Sequence, residues 1–167
     1  MSTIIIVEDG TGSDETANSY IDAAYVDSYC SNLGLTSWAS LATTAKENAI
    51  LRGMDYIESL SFKGAKYDYT NPLKWPRGGA TDEDGYAIDI DEIPNNLKKA
   101  LARAAYEESV STGVLQPTGK NNIKREVIAG AIETEYFGAG PSQKVFSVIL
   151  GYLSGLLSAG GTKVIRG

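Results

Sequence analysis

Two stretches of clear helical periodicity are separated by a segment that cannot be helical, and this interruption limits the folds open to the chain. The segment Ser61–Ile93 contains Pro72 and Pro76, runs into Pro94, and holds Gly64, Gly78, Gly79 and Gly85. Proline removes a backbone donor and clashes with the preceding turn, and glycine weakens a helix interior. A structureless loop of this length is unusual inside a compact domain. The segment also carries Phe62, Tyr67, Tyr69, Trp75 and Tyr86. These aromatics imply that it is ordered by packing, either against the helices or against a partner. Asp82, Glu83, Asp84, Asp89, Asp91 and Glu92 give its second half an acidic character.

On either side the periodicity is local and strong. Ile4 to Val7 is a β-branched run that reads as a short strand, and the polar, glycine-rich residues Gly10 to Thr16 read as a loop. Such a strand needs a sheet elsewhere in the chain or in a neighbour. Ser19, with Asp22 three residues on, is a candidate cap for a helix over Tyr20–Leu33, which Gly34 would end. Thr44 and Glu47 form a capping box before Ile50, Met54, Ile57 and Leu60, predicting a helix over Thr44–Leu60. Pro94 suits a first helical turn, and Leu97, Ala100, Leu101, Ala104 and Ala105 extend a third helix to Ser111. Lys124–Phe137 alternates around Gly130 and reads as a long strand or a hairpin.

Ser142 is a candidate cap for a last helix, Gln143–Leu157. Val145, Phe146, Ile149, Tyr152, Leu153 and Leu156 belong to an apolar set covering nearly its whole circumference, so the helix is expected to be buried. It is too short to span a bilayer. Gly151 and Gly155 suit close helix contact in a bundle or oligomer. The tail, Ala159–Gly167, ends in the β-like run Lys163-Val164-Ile165-Arg166. The fold class expected is mainly α (α+β): a bundle of about four helices with a small β-strand or hairpin element and extended terminal arms. Residues 1–16 would be an N-terminal arm, 17–157 the helical domain, and 158–167 a C-terminal arm.

Composition removes whole classes of chemistry. The chain has no histidine, which excludes Ser-His-Asp and Cys-His catalysis and imidazole metal ligation. Its one cysteine, Cys30, excludes an internal disulfide and a thiolate zinc cluster, and fits synthesis in a reducing cytosol. Met1–Val7 lacks the basic region of a signal peptide. The formal charge of −6, from 21 acids against 15 bases, argues against gripping nucleic acid over the whole surface. A local basic patch remains open.

Four constellations stand out. The acidic stretch Asp82–Glu92 could offer oxygen ligands to calcium, but its spacing does not match an EF-hand loop, and a solvated acidic loop is the default. Asp89, Asp91, Glu133 and Glu135 could be paired as catalytic acids and bases, yet nothing sets their separation. No nucleophile, cofactor or phosphate-loop motif accompanies them, so no catalytic residue, metal or cofactor is expected. Lys120, Lys124 and Arg125 form a small basic cluster beside a strand bearing Tyr136, the kind of surface that binds single strands; a solvated strand edge explains them equally. Trp75-Pro76-Arg77 is either a stacking site or partner anchor, or a loop pinned to the core.

Several segments together resemble a known family. They are Ala17-Asn18-Ser19-Tyr20-Ile21, Lys46–Tyr56, Leu73-Lys74-Trp75-Pro76-Arg77, and Ile93-Pro94 ahead of Leu97–Ala105. The pattern resembles small tailed-bacteriophage proteins of the head–tail connector (adaptor, head-completion) type. Many sequences of that kind carry a DnaT-like single-stranded-DNA-binding label. The resemblance implies a structural virion protein in the neck, forming a homo-oligomeric ring, commonly a dodecamer, between portal and tail proteins. Genomic DNA would pass through without being held. The final helix and Lys163–Arg166 would then dock on the portal or a neighbour, and Trp75, Pro76 and Arg77 would meet the tail side or a sister subunit. Neither a membrane partner nor catalysis is implied. The alternative is a single-stranded nucleic-acid-binding module working through Lys120, Lys124, Arg125 and aromatics, and a small metal-dependent enzyme is a third reading.

Overall fold

A computed structural model describes residues 5–115 and 142–158 of the 167-residue chain. Its framework is the pairing of two helices, α2 (Thr43–Ser59) and α3 (Asn95–Val110). The buried face of α3 is rich in small residues: Ala100, Ala104 and Ala105 are fully buried, together with Leu97 and Leu101. On α2 the matching position is Gly53, where a β-carbon would stand 3.1 Å from the Ala105 nitrogen. Glycine inside a helix costs about 1 kcal/mol relative to alanine. Here it allows two backbones to approach closely and bury Ile50, Met54 and Ile57 beside them. Helix α1 (Ala23–Asn32) and a 3-10 turn (Thr36–Trp38) lie against this pair. Helix α4 (Ser142–Leu153) packs on α3.

The predominantly helical class is therefore as expected, with a two-stranded antiparallel sheet as its small β element. That sheet, β1 (Ala65–Lys66) with β2 (Arg77–Gly78), lies inside the proline- and glycine-rich segment, paired Ala65 to Gly78 and Lys66 to Arg77. The β element expected over 124–137 lies outside the described residues, as does the tail 159–167. Gly64 enters the hairpin at φ +73°, and a β-carbon there would sit 2.3 Å from the Gly78 oxygen, so this position needs glycine.

Two helix starts differ from expectation. Ser19 does not cap α1: its buried hydroxyl donates to the Ile21 oxygen at 2.6 Å, and Asp22 caps instead, accepting from the Tyr25 nitrogen at 2.8 Å. The Thr44–Glu47 box is bypassed because α2 begins at Thr43, after Ala42, with no side-chain cap bond. The far end of α3 is closed by Glu108. Its fully buried carboxylate accepts from Arg52 (3.1 Å) and from the Gly113 and Leu115 nitrogens (2.7 and 2.9 Å).

Among the described residues, helix α4 shows both a buried and an exposed face. Ile149, Leu153 and Leu156 are fully inside, Tyr152 is half-buried, and Val148 and Leu150 are exposed. Among the described residues the all-round burial expected of it is not reached: its inner face packs on α3 while Val148 and Leu150 stay exposed. Val145 and Phe146 fall in its first turns. No described helix is long and apolar enough to cross a membrane.

Candidate nucleic-acid interface

The segment 61–93 is a structured layer, held by three sets of long-range bonds. The first centres on Arg77. Its guanidinium donates to the carbonyls of Lys63 (2.8 Å), Lys74 (3.1 Å), Gly64 (2.7 Å) and Phe62 (3.4 Å). A planar fork of donors suits converging carbonyls in a way a lysine could not. The second centres on Glu8. This buried carboxylate accepts from the Gly10 and Gly12 nitrogens (3.0 and 2.9 Å) and from the Asn71 amide at 3.1 Å. It thereby ties residues 8–12 to the layer, and Asn71 also donates to the Trp75 oxygen. The third joins the layer to α1's approach and α2. The Tyr20 hydroxyl donates to Glu58 and accepts from the Trp75 nitrogen at 3.1 Å, while Glu58 accepts from the Lys74 nitrogen at 3.0 Å.

These bonds hold Trp75-Pro76-Arg77 within the layer. Trp75 is fully buried and meets Phe62 edge-on, with ring centroids 5.8 Å apart; a cis peptide joins it to the buried Pro76. Of the two alternatives for this motif, the structure has the loop pinned to the core. Trp38 is buried as well.

The exposed aromatics are different ones. Tyr69 is 93% exposed, Tyr86 73% and Tyr67 50%. Each stands on an ordered support. Asp68 accepts from the Thr70 nitrogen and hydroxyl at 2.9 and 3.0 Å, shaping the turn that carries Tyr69. Asp82 accepts from the Asp84 and Tyr86 nitrogens at 3.0 and 2.8 Å and closes the turn that carries Tyr86. The Tyr67 nitrogen donates to the Pro76 oxygen, and its ring lies over Gly12, where a β-carbon would come within 2.8 Å of it. Composition alone did not separate these tyrosines from Trp75 and Phe62. The available signal was their setting, since each neighbours an aspartate or a glycine that builds a turn.

Cations in the layer are largely engaged by the protein itself. Besides Arg77, Lys66 donates to the Asn71 oxygen, Lys74 to the Leu60 oxygen at 2.6 Å, and Lys63 reaches the Thr81 hydroxyl at 3.5 Å. Away from the layer, Lys46 pairs with Asp27, Arg52 with Glu108 and Arg103 with Glu107. Lys98 and Lys99 lie near the start of α3. The sequence-predicted cluster Lys120, Lys124 and Arg125 lies outside the described residues, and so do Lys163, Val164, Ile165 and Arg166.

A cavity of about 420 Å³ opens between α1 and the 3-10 turn, beside Asp27, Cys30, Trp38 and Lys46. Its polar groups answer one another. Asp27 accepts from Lys46 at 2.8 Å and from the Trp38 indole at 2.6 Å, and the lysine bond holds the Asp27 carboxyl below its usual range. Burial pushes the Cys30 thiol up to about 11, so it is a poor nucleophile. Among the described residues, no acidic or thiol side chains converge as a metal site, and the stretch Asp82–Glu92 is a solvated turn region.

A family model described as "Putative DnaT-like ssDNA binding protein" matches residues 3–167. The chain belongs to that family. Comparison with curated proteins and with solved structures finds no match. Membership of the DnaT-like family overturns the head–tail connector expectation, with its portal, neck and conduit roles. The physical reason is visible in the motifs that suggested it. Asn18 accepts from the Ile6 nitrogen at 2.8 Å, Tyr20 holds Glu58 and Trp75, and Trp75 and Arg77 are internal ties. Such residues are internal ties of the fold. The alternative reading, a module for single-stranded nucleic acid, is the one the family supports.

Proposed function

We propose that this protein binds single-stranded nucleic acid and performs no chemistry on it. The observation that carries the reading is the family match along nearly the whole chain. The exposed tyrosines of the 61–93 layer support it, because every base offers a π-face and aromatic stacking is the sequence-tolerant way to hold an unpaired strand. Self-association belongs to the same proposal. Val148 and Leu150, bare on the outer side of α4, are what a second copy would cover, and sedimentation velocity over a concentration series tests it.

Fluorescence anisotropy with a labelled oligonucleotide, single-stranded and as duplex, tests the main reading at low and physiological salt. Saturable binding in the micromolar range or tighter is expected for the single strand, with weaker binding of the duplex. Absence of saturable binding to the single strand at low salt would overturn it.

A further inference from the structure

We infer that the strand is held by stacking of bases on Tyr69 and Tyr86, with Tyr67 as a half-buried third platform, and that few phosphates are neutralised there. This rests on the nucleic-acid reading above and goes on to say which residues and which force supply the affinity.

Three observations support it. First, Tyr69 and Tyr86 present most of their ring surface to solvent while their backbones are fixed by the Asp68 and Asp82 turns. A platform already held in place loses little freedom when a base stacks on it. Second, the cations of the same layer hold the fold together. Arg77 bridges carbonyls of Phe62, Lys63, Gly64 and Lys74, and Lys66 and Lys74 donate to main-chain oxygens. Turning them toward phosphates would break the layer. Third, Asp68 and Asp82 build the turns that carry Tyr69 and Tyr86, and Glu83, Asp84 and Asp89 lie within three residues of Tyr86 in the chain, so the local charge disfavours a phosphate clamp. A strand here is gripped through its bases.

The consequence is a shallow salt dependence. For single strands, log K falls with log salt at a slope of about −0.7 per phosphate neutralised. A stacking site with almost no phosphate contacts gives a slope near zero, whereas a clamp of three cations gives about −2.

The experiment titrates the full-length protein with a labelled oligothymidine between about 50 and 200 mM salt. It is repeated for Tyr69→Ala/Tyr86→Ala and Tyr69→Phe/Tyr86→Phe, with melting temperature recorded for each. Both positions are exposed turn tips, so folding is expected to survive. The alanine pair should lose affinity about five-fold or more per ring, and the phenylalanine pair should stay close to wild type. The wild-type slope should be shallower than about −1. Unchanged affinity in the alanine pair overturns the inference. So does a slope near −2, which would assign the grip to phosphate-binding cations such as Lys120, Lys124 and Arg125. In both cases the nucleic-acid reading still stands. Failure of the wild-type protein to bind at any salt sinks both.

Discussion

At Glu58, burial raises the carboxyl pKa above its ordinary value of 4.5, although Tyr20 and Lys74 both donate to it. The native state then binds this proton more tightly than the unfolded chain does. The stability linked to it is fully present below the ordinary value and is lost as pH rises through the raised native one. Glu58→Gln keeps an acceptor for Tyr20 and removes the titration. Its melting temperature should therefore fall less steeply than the wild type's as pH rises from about 4 toward neutrality. Parallel curves for the two proteins would contradict this. Arg77 makes a second residue-scale claim. Removing its donors leaves the part-buried carbonyl bonds to Lys63, Lys74 and Phe62 unmade, so Arg77→Ala should cost about 3 kcal/mol in urea unfolding. Arg77→Lys should recover little of that, because an ammonium cannot span the fork. A loss below about 1 kcal/mol would show that water replaces these bonds cheaply.

At the scale of elements, the turn after α4 is locked to the hairpin layer. The Lys63 nitrogen donates to the Leu156 oxygen at 2.9 Å, Ser158 donates to Ser61, and Phe62 pairs with Leu157 as a single antiparallel bridge. Gly155 lets the Glu83 backbone come close enough that an added β-carbon would stand 2.4 Å from its nitrogen. Gly155→Ala must push the turn carrying Tyr86 away from α4, at about 1–3 kcal/mol. Thermal unfolding measures this cost, and an unchanged melting temperature would mean that the turn yields freely. The same substitution should weaken oligonucleotide binding if Tyr86 is a platform, through displacement and without loss of the ring. Helix boundaries were read to within a few residues because their signals are local: an apolar stripe, a glycine stop, a proline start. Caps were read less well. Ser19 and Thr44 have the right chemistry, but tertiary bonds and the position of Ala42 place the helix starts elsewhere.

At the scale of the molecule, both tryptophans are interior and the solvent-facing aromatics named above are tyrosines. Tryptophan emission should therefore be blue-shifted, resist quenching by iodide, and stay unchanged on addition of an oligonucleotide that alters anisotropy. Strong tryptophan quenching on binding would place the strand against Trp38 or Trp75 and contradict the proposed site. The net charge of −6 works in the same direction as the engaged cations. It makes binding through a broad phosphate-gripping face unfavourable, in keeping with the proposed stacking site. The absence of histidine, equally, was decisive from the start, since no tertiary arrangement can supply an imidazole the chain does not contain.

What the amino-acid order determined by itself were the features that depend on neighbours a few residues apart: the helices, the interruption between them, and the chemistries the composition forbids. The arrangement within 61–93 was decided only by the tertiary structure. Glu8 meets Asn71, Tyr20 meets Glu58 and Trp75, and Phe62 meets Leu157 across long separations in sequence. Whether an aromatic in that segment is core or surface depends on those distant partners. The aspartate beside Tyr69 hints at a turn, but only the distant partners of Trp75 enclose it, so the two aromatics have opposite fates in the fold, one wholly enclosed and one almost wholly bare.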